Sequence, residues 1–335
     1  MAEGALGRPG SRARSGQGQV EAAGGRARQL RAGEVVKRSL ALLVALAGLA
    51  ATAPADAQRL RDRLAERAAA RAEAKLTATP APEGVLRDLN VSYGPDKAQV
   101  FDVYRPKAAQ GAPIVVMAHG GGWRIGDKAM GKVVDNKVPW LTGQGFIFVS
   151  VNYRMLPDAD VATQARDVAR AIAAVQAKAA AWGGDPSKVV LMGHSAGAHL
   201  VSLLAADPTI AAREGAKPWR GVVALDSAAM DVPSIMSQRH MKLYDEAFGS
   251  DPAVWKDLSP LARMKAAPAP LMMVCSSRRA ESCPQAQALA DKAKSLGGQA
   301  SVLPQDLSHG EINAKLGEPG AYTDAVARFL ASVVR

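Results

Sequence analysis

Five residues, Gly193-His194-Ser195-Ala196-Gly197, carry the clearest chemical signal in the chain. An apolar run, Val189 to Met192, precedes them, and a helix-compatible run, Ala198 to Ala206, follows at once. A serine on a tight turn between a buried strand and a helix is a nucleophile elbow. The turn strains the serine backbone, so the residues two positions away must be small, and glycine has no Cβ to clash. The helix that starts there offers free N–H groups to a developing negative charge.

A second stretch supplies the matching electrostatics. His119-Gly120-Gly121-Gly122-Trp123 follows the apolar segment Ile114–Ala118. Consecutive glycines let main-chain N–H groups turn inward, and acyl transfer needs donors aimed at the oxyanion of its tetrahedral intermediate. The candidate donors are the N–H groups of Gly121, Gly122 and Ala196, and Trp123 is expected to border the substrate pocket. A phosphate loop is the competing reading. It fails because the chain has neither G-x-x-x-x-G-K-[ST] nor a G-x-G-x-x-G that opens a helix.

A serine nucleophile needs a base that accepts its proton near neutral pH, and imidazole has the matching pKa. Of the five histidines, His309 in Asp306-Leu307-Ser308-His309-Gly310-Glu311 is the expected base. His119 belongs to the glycine loop and is expected to brace it. His194 lies inside the elbow and is expected to point elsewhere, His199 to pack on the following helix, and His240 to lie in an insert. The acid that orients the base is less sharply marked. The loop after the strand Leu271–Val274 reads Cys275-Ser276-Ser277-Arg278-Arg279-Ala280-Glu281-Ser282-Cys283, so Glu281 is the preferred acid. Asp226, at the end of the preceding strand Gly221–Leu225, is the alternative, with Asp231 and Asp306 behind it.

The elements that must position these residues read as an α/β fold. Strands are expected at 87–91, 100–104, 114–118, 146–151, 189–192, 221–225, 271–274 and 300–303, the first two antiparallel through Gly94-Pro95-Asp96. Helical spacing spans 167–181, 285–296 and 322–334, with Trp182-Gly183-Gly184-Asp185-Pro186 stopping the first. Strands alternating with helices give a mostly parallel central sheet with helices on both faces, and continuous apolar strands agree with burial on both sides. Ligands in such folds gather at the carboxyl ends of the strands. The stretch 230–265 is a small cap or insert whose Met236, Met241, Leu243, Tyr244, Phe248 and Trp255 supply apolar surface.

Composition bounds the rest. The 335 residues carry a net charge of +11, which suggests a nucleic-acid surface until the charge is located. Residues 1–80 hold 14 Lys+Arg against 7 Asp+Glu, and the remaining 255 hold 28 against 24. The basicity sits mainly in the leader, so nucleic acid is not an expected partner. Residues 1–34 read as a disordered leader that an upstream start site would add, and 35–57 as a signal peptide. That peptide combines Lys37-Arg38, a short apolar run from Leu40 to Ala51, and Ala55-Asp56-Ala57. The run is too short for a bilayer span, which needs ~20 residues. A helical linker is expected over 58–82 and the catalytic domain over 83–335. Export, periplasmic or secreted, is the expected localisation. An oxidising compartment would let Cys275 and Cys283 pair and brace their loop, the alternative being two separate buried thiols. Two cysteines and five scattered histidines offer no metal constellation.

Together His119–Trp123, Ser150-Val151-Asn152-Tyr153-Arg154, Gly183-Gly184-Asp185-Pro186, Gly193–Gly197 and His309-Gly310 resemble the α/β-hydrolase superfamily. Within it they are similar to the HGGGW-type carboxylesterase/lipase group: hormone-sensitive-lipase-like, feruloyl-esterase-like and kynurenine-formamidase-like enzymes. The order nucleophile first, histidine last fits that arrangement. The resemblance spans roughly residues 95–335 and implies an eight-stranded-type sheet, a Ser-His-acid triad, no metal and no cofactor, and a small-molecule ester as substrate. Such families usually carry an Asp a few residues past the strand, where this chain has Arg278-Arg279. Two other readings stand beside ester cleavage. One is an arylformamidase-type amide hydrolase. The other is a non-catalytic hydrolase-fold binding protein, supported only by the missing Asp.

Overall fold

A computed structural model describes residues 82–335; the expected leader, the expected signal peptide and nearly all of the expected linker lie outside the described residues. Eight strands form one sheet: β1 Val85–Ser92, β2 Val100–Pro106, β3 Ala112–Ala118, β4 Ile147–Val151, β5 Gly184–His194, β6 Gly221–Leu225, β7 Leu271–Ser276 and β8 Ala300–Gln305. Their spatial order is β1-β2-β4-β3-β5-β6-β7-β8. β2 pairs antiparallel with β1 and with β4, and every other pairing is parallel. All eight expected strands are present.

The helices, in chain order, are α1 Gly131–Val134, α2 Lys137–Gly143, α3 Val161–Lys178, α4 Ala196–Ala206, α5 Thr209–Arg213, α6 Val232–Met236, α7 Lys242–Phe248, α8 Pro252–Asp257, α9 Pro260–Arg263, α10 Ser282–Ser295, α11 His309–Ala314 and α12 Ala321–Val333. Helix α3 starts six residues before the expected Asp167. The Asp160 side chain caps it by accepting from the Thr163 N–H at 2.7 Å, an N-cap signal that outranks the apolar spacing. A 3-10 turn, Ala179–Trp182, ends it, and Gly183 (φ 76°) reverses the chain into β5.

Side chains on a strand alternate between faces, and here both faces are buried. Ile114, Val116 and Ala118 join Leu191, Val222, Met273, Ile172 and Leu200 in one core, which α3, α4 and α10 cover. Val115 and Met117 join Val190, Met192, Val223 and Val274 in the other, covered by α1, α2 and α12. The stretch 230–265 forms the four short helices α6–α9. Its Met236, Tyr244 and Phe248 are buried in the first core, while Met241, Leu243 and Trp255 are half-buried against it. The insert's aromatic side chains are therefore spent mainly on packing rather than on open apolar surface, a correction to the sequence expectation.

The register aligns the functional edge. Ala118 on β3 pairs with Gly193 on β5, His194 with Leu225 on β6, and Leu225 with Val274 on β7. His119, Ser195 and Asp226 each stand one residue past an aligned strand end. The strand order also reverses between β3 and β5, the switch point at which open α/β sheets leave a crevice.

The segment after β3 is fastened to the sheet by a buried ion pair. Lys128 Nζ lies 2.9 Å from Asp102 Oδ2 on β2, and both side chains are almost fully buried. The Asn90 N–H donates to the other Asp102 oxygen at 2.8 Å, and the Ser150 hydroxyl to the Lys128 carbonyl at 2.8 Å. Removing one member of a buried pair strands the other charge. Lys128→Ala is expected to lower unfolding free energy by about 3 kcal/mol in urea denaturation.

Candidate active site

The nucleophile elbow forms because the strand and helix around it leave Ser195 no other path. Ser195 has φ 54° and ψ −116°, between β5 and α4. Holding a non-glycine residue in such a region costs about 1–3 kcal/mol and persists only where its surroundings impose it. A Cβ on Gly193 would meet the Gly197 carbonyl oxygen at 2.3 Å, and one on Gly197 the Ala118 oxygen at 2.2 Å. Both positions must be glycine. The Ser195 N–H donates to the Leu225 carbonyl at 2.9 Å, which pins the turn to the end of β6. Ser195 itself is half-buried, while its neighbours on both sides are buried.

The glycine loop lies against this turn. A Cβ on Gly120 would stand 3.0 Å from the Ser195 Cβ. Gly121 (φ 124°), Gly122 (φ 59°) and Trp123 (φ 60°) curl the chain, and the Gly121 carbonyl accepts from the N–H groups of Arg124 and Ile125 at 3.2 and 3.1 Å. His119 braces the loop as expected. It is buried, its ring stacks on Tyr153 at 4.5 Å, and its carbonyl accepts from the Tyr153 hydroxyl at 2.8 Å. Ala196 is the first residue of α4, where an α-helix leaves its N–H groups without an intrahelical partner.

Trp123 departs from its expected place at the pocket wall. It is 3% exposed, with its ring edge-on to His199 and Phe248. Its Nε1–H donates to His199 Nδ1 at 3.3 Å, and His199 Nε2–H donates to the Leu258 carbonyl at 2.7 Å. Burial lowers the His199 pKa to about 4, which keeps Nδ1 free to accept. The positive φ at Trp123 turns the indole inward, where it joins the glycine loop to α4 and the insert.

His309 opens α11. Ser308 caps that helix in a reciprocal capping box with Glu311. His309 Nδ1 stands 2.6 Å from Asp226 Oδ2. An ionised carboxylate only accepts, so Nδ1 carries the proton and donates it, which leaves Nε2 with a lone pair. The His194 ring packs on the His309 ring at 4.5 Å, and its Nε2–H donates to the His309 carbonyl at 3.0 Å. His194 therefore faces His309, contrary to the expectation that it points elsewhere. Burial and the neighbouring His309 hold the His194 pKa well below its ordinary value.

The carboxylate hydrogen-bonded to His309 is that of Asp226, the alternative, and not that of the preferred Glu281. Asp226 has φ 52° and a fully buried side chain, and its N–H donates to the Val274 carbonyl at 2.8 Å. Its Oδ1 accepts from the Ser276 N–H at 2.7 Å and from the Ser282 hydroxyl; its Oδ2 accepts from His309 and from Arg279 Nη1 at 2.7 Å. Burial alone would raise this carboxyl, but the His309 hydrogen bond, the Arg279 charge and the Ser282 hydroxyl outweigh it and hold it well below the usual carboxylate range. Glu281 is exposed and stands just before the first turn of α10. Cys275 and Cys283 are bonded, as the first of the two expectations had it. The bond closes the loop so that Arg279 turns to the carboxylate while Glu281 stays in solvent. Asp231 caps α6 through the Ser234 N–H at 3.3 Å, and Asp306 pairs with Arg278 at 2.7 Å. Arg279, Ser276 and Ser282 were not singled out from sequence as contacts of the site. Among the described residues there is no group of three His, Cys, Asp or Glu able to hold a metal and no helix long and apolar enough to cross a membrane.

The profile of the BD-FAE family matches residues 101–290, more than half of the chain and all of the segment from β2 into α10. The chain belongs to the BD-FAE family. Among curated relatives, it is 30% identical over 222 residues to esterase LipQ of Mycobacterium tuberculosis, covering 60% of this chain and 51% of that protein. It is also 33% identical over 114 residues to a probable isoprenylcysteine alpha-carbonyl methylesterase, ICMEL1, of Arabidopsis thaliana, covering 34% of this chain and 23% of that one. The chain thus spans between about a quarter and a half of these relatives' lengths. Among solved structures, an inhibited esterase B from Lactobacillus rhamnosis superposes with a TM-score of 0.63 at 22% identity, over 84% of this chain and 97% of that one. A truncated carbohydrate esterase from gut microbiota gives a TM-score of 0.65 at 19% identity, over 76% and 99%. At these identities the BD-FAE chain shares their α/β-hydrolase fold.

The two carboxylates make opposite demands on an activity measurement. Asp226→Asn keeps the shape but removes the charge and favours the wrong ring tautomer, so any turnover that uses the His309–Asp226 pair is expected to fall by ~10⁴. Glu281→Gln is expected to stay within about twofold of wild type in the same kcat/KM assay, as exposed surface changes away from special features usually do.

Proposed function

We propose that this BD-FAE protein is a serine hydrolase that cleaves carboxylic esters through an acyl-enzyme. The observation that carries the reading is the 2.6 Å bond from His309 Nδ1–H to Asp226, with Ser195 tied by its own N–H to Leu225, the residue before Asp226. Two adjacent residues at the end of β6 thereby hold the base and the nucleophile. With the proton fixed on Nδ1, Nε2 is the basic nitrogen.

In this reading Ser195 Oγ attacks the ester carbonyl while His309 Nε2 takes its proton. The carbonyl oxygen becomes an oxyanion facing the N–H groups of Gly121, Gly122 and Ala196, where one donor is worth ~10²–10³ in turnover. Collapse breaks the bond to the leaving alcohol, and His309 returns the proton to it. Water then enters, gives its proton to His309 and attacks the acyl carbon, and the released proton goes back to Ser195 with the carboxylic acid as product. Asp226 stays ionised and stabilises the imidazolium at each transfer. The hydrogen bond from His309 to Asp226 at the end of β6 supports turnover over a scaffold without it, since the latter rested on the absent Asp after β7.

The test has two arms. A fluorophosphonate should label wild-type protein at Ser195 and fail to label Ser195→Ala, because labelling requires an activated hydroxyl. The purified protein should hydrolyse members of a p-nitrophenyl ester series from acetyl to palmitoyl. Wild-type protein that takes no label and hydrolyses no ester overturns the reading.

A further inference from the structure

Arg279 occupies the part of the site where the resemblance led us to expect a carboxylate. Its Nη1 stands 2.7 Å from Asp226 Oδ2, 3.3 Å from the Asp226 carbonyl oxygen and 2.9 Å from His309 Nδ1. Its side chain is 18% exposed. A guanidinium cannot accept a hydrogen bond and keeps its proton at every working pH. With Nδ1–H also a donor, Arg279 and His309 do not bond to each other; a single carboxylate oxygen holds both. The placement is built into the loop. The Cys275–Cys283 bond closes it, and Ser276 and Ser282, at its two ends, bind the other oxygen of the same carboxylate.

We propose that Arg279 is a positioning residue whose fixed positive charge opposes protonation of His309 in the free enzyme and so extends catalysis to more acidic pH. This rests on the esterase reading. In a simple His-Asp pair the whole negative charge favours the imidazolium. Here one carboxylate serves two cations, and only the imidazole can give up its proton. A positive neighbour within 4–6 Å disfavours a second positive charge. With its Nη1 2.9 Å from His309 Nδ1, Arg279 places a fixed positive charge where the imidazolium would form.

Other charged and titratable groups also face the ring. His194, from the end of β5, is buried and held neutral. From α1, Lys132 Nζ lies 3.5 Å from where a Cβ on Gly310 would stand, and from α2, Lys137 Nζ donates to the Asn313 carbonyl of α11. Glu311, on the helix of His309 itself, is bound to Ser308 and Lys315, which lower its pKa to about 2. Arg278 and Asp306 form an exposed pair with each other. Asp226 remains a carboxylate across the working range. Arg279→Lys keeps the positive charge beside Asp226, so comparing it with Arg279→Met reads the effect of that charge.

The experiment is the pH profile of kcat/KM on a short-chain ester, with product measured by chromatography, for wild type, Arg279→Met and Arg279→Lys. Active sites are counted by fluorophosphonate titration, so misfolded protein does not enter the rates. The acid limb of Arg279→Met is expected to move up by about one pH unit, while Arg279→Lys, which keeps the charge, stays close to wild type. Arg279→Gln gives the same comparison should Arg279→Met not fold. A purely structural role would lower the plateau or the count of titrated sites and leave the limb in place. An acid limb that coincides with wild type, or moves to lower pH, in the uncharged variants overturns the proposal. Wild type that takes no label and turns over no ester overturns the esterase reading and this proposal with it; an active, labelled wild type with an unmoved limb overturns this proposal alone.

Discussion

A buried carboxylate is the constraint around which the site is arranged. Asp226 has no access to water, and an ion in such a place survives only when its oxygens are fully bonded. Four donors meet that demand: a main-chain N–H and a hydroxyl on Oδ1, an imidazole and a guanidinium on Oδ2. Each comes from a different part of the chain around β7, α10 and α11, so satisfying one charge fixes the disulfide loop and the His309 ring together. The imidazole cannot rotate away without leaving a buried anion under-bonded. That is a physical reason for the ring to keep its orientation before any substrate arrives.

The sheet delivers the remaining parts by register. Parallel strands with aligned ends bring His119, Ser195 and Asp226 to one edge, each one residue beyond its strand. Positive φ recurs at Trp123, Ser195 and Asp226, three of the four non-glycine residues among those described that adopt it. Strain of this kind gathers where a site demands a side-chain direction that relaxed backbone would not give. At Trp123 the direction serves packing, because the indole is consumed by His199, Tyr244 and Phe248. The glycine loop is thereby held to α4 and the insert.

What sequence could tell was uneven, and the reasons are physical. The strands were legible because a parallel sheet covered on both faces needs near-continuous apolar runs. Ser195 was legible because the elbow's glycines are sterically compelled, as the contacts at 2.2 and 2.3 Å make plain. His309 stood out by chain order and by its place after the last strand. The acid did not, because the direction of a side chain at a strand end depends on a backbone angle that one-dimensional spacing cannot carry. Leu225-Asp226-Ser227 held the available signal: an Asp directly after a buried strand, a residue type that tolerates positive φ better than most. Glu281 was favoured for its position in the loop, but the start of α10 at Ser282 leaves it in solvent. His194 and Arg279 were missed for a related reason. Their partners are 115 and 30 to 53 residues away in sequence, and nothing local announces them.

The whole arrangement turns on the proton of His309 Nδ1, which lies in a hydrogen bond to Asp226. Proton NMR on protein with ¹⁵N-labelled histidine reads this directly. The Nδ1–H resonance of His309 should appear far downfield of the amide region in wild type and in Glu281→Gln, and be lost or moved strongly upfield in Asp226→Asn. Persistence of that resonance in Asp226→Asn, or its loss in Glu281→Gln, would contradict the account.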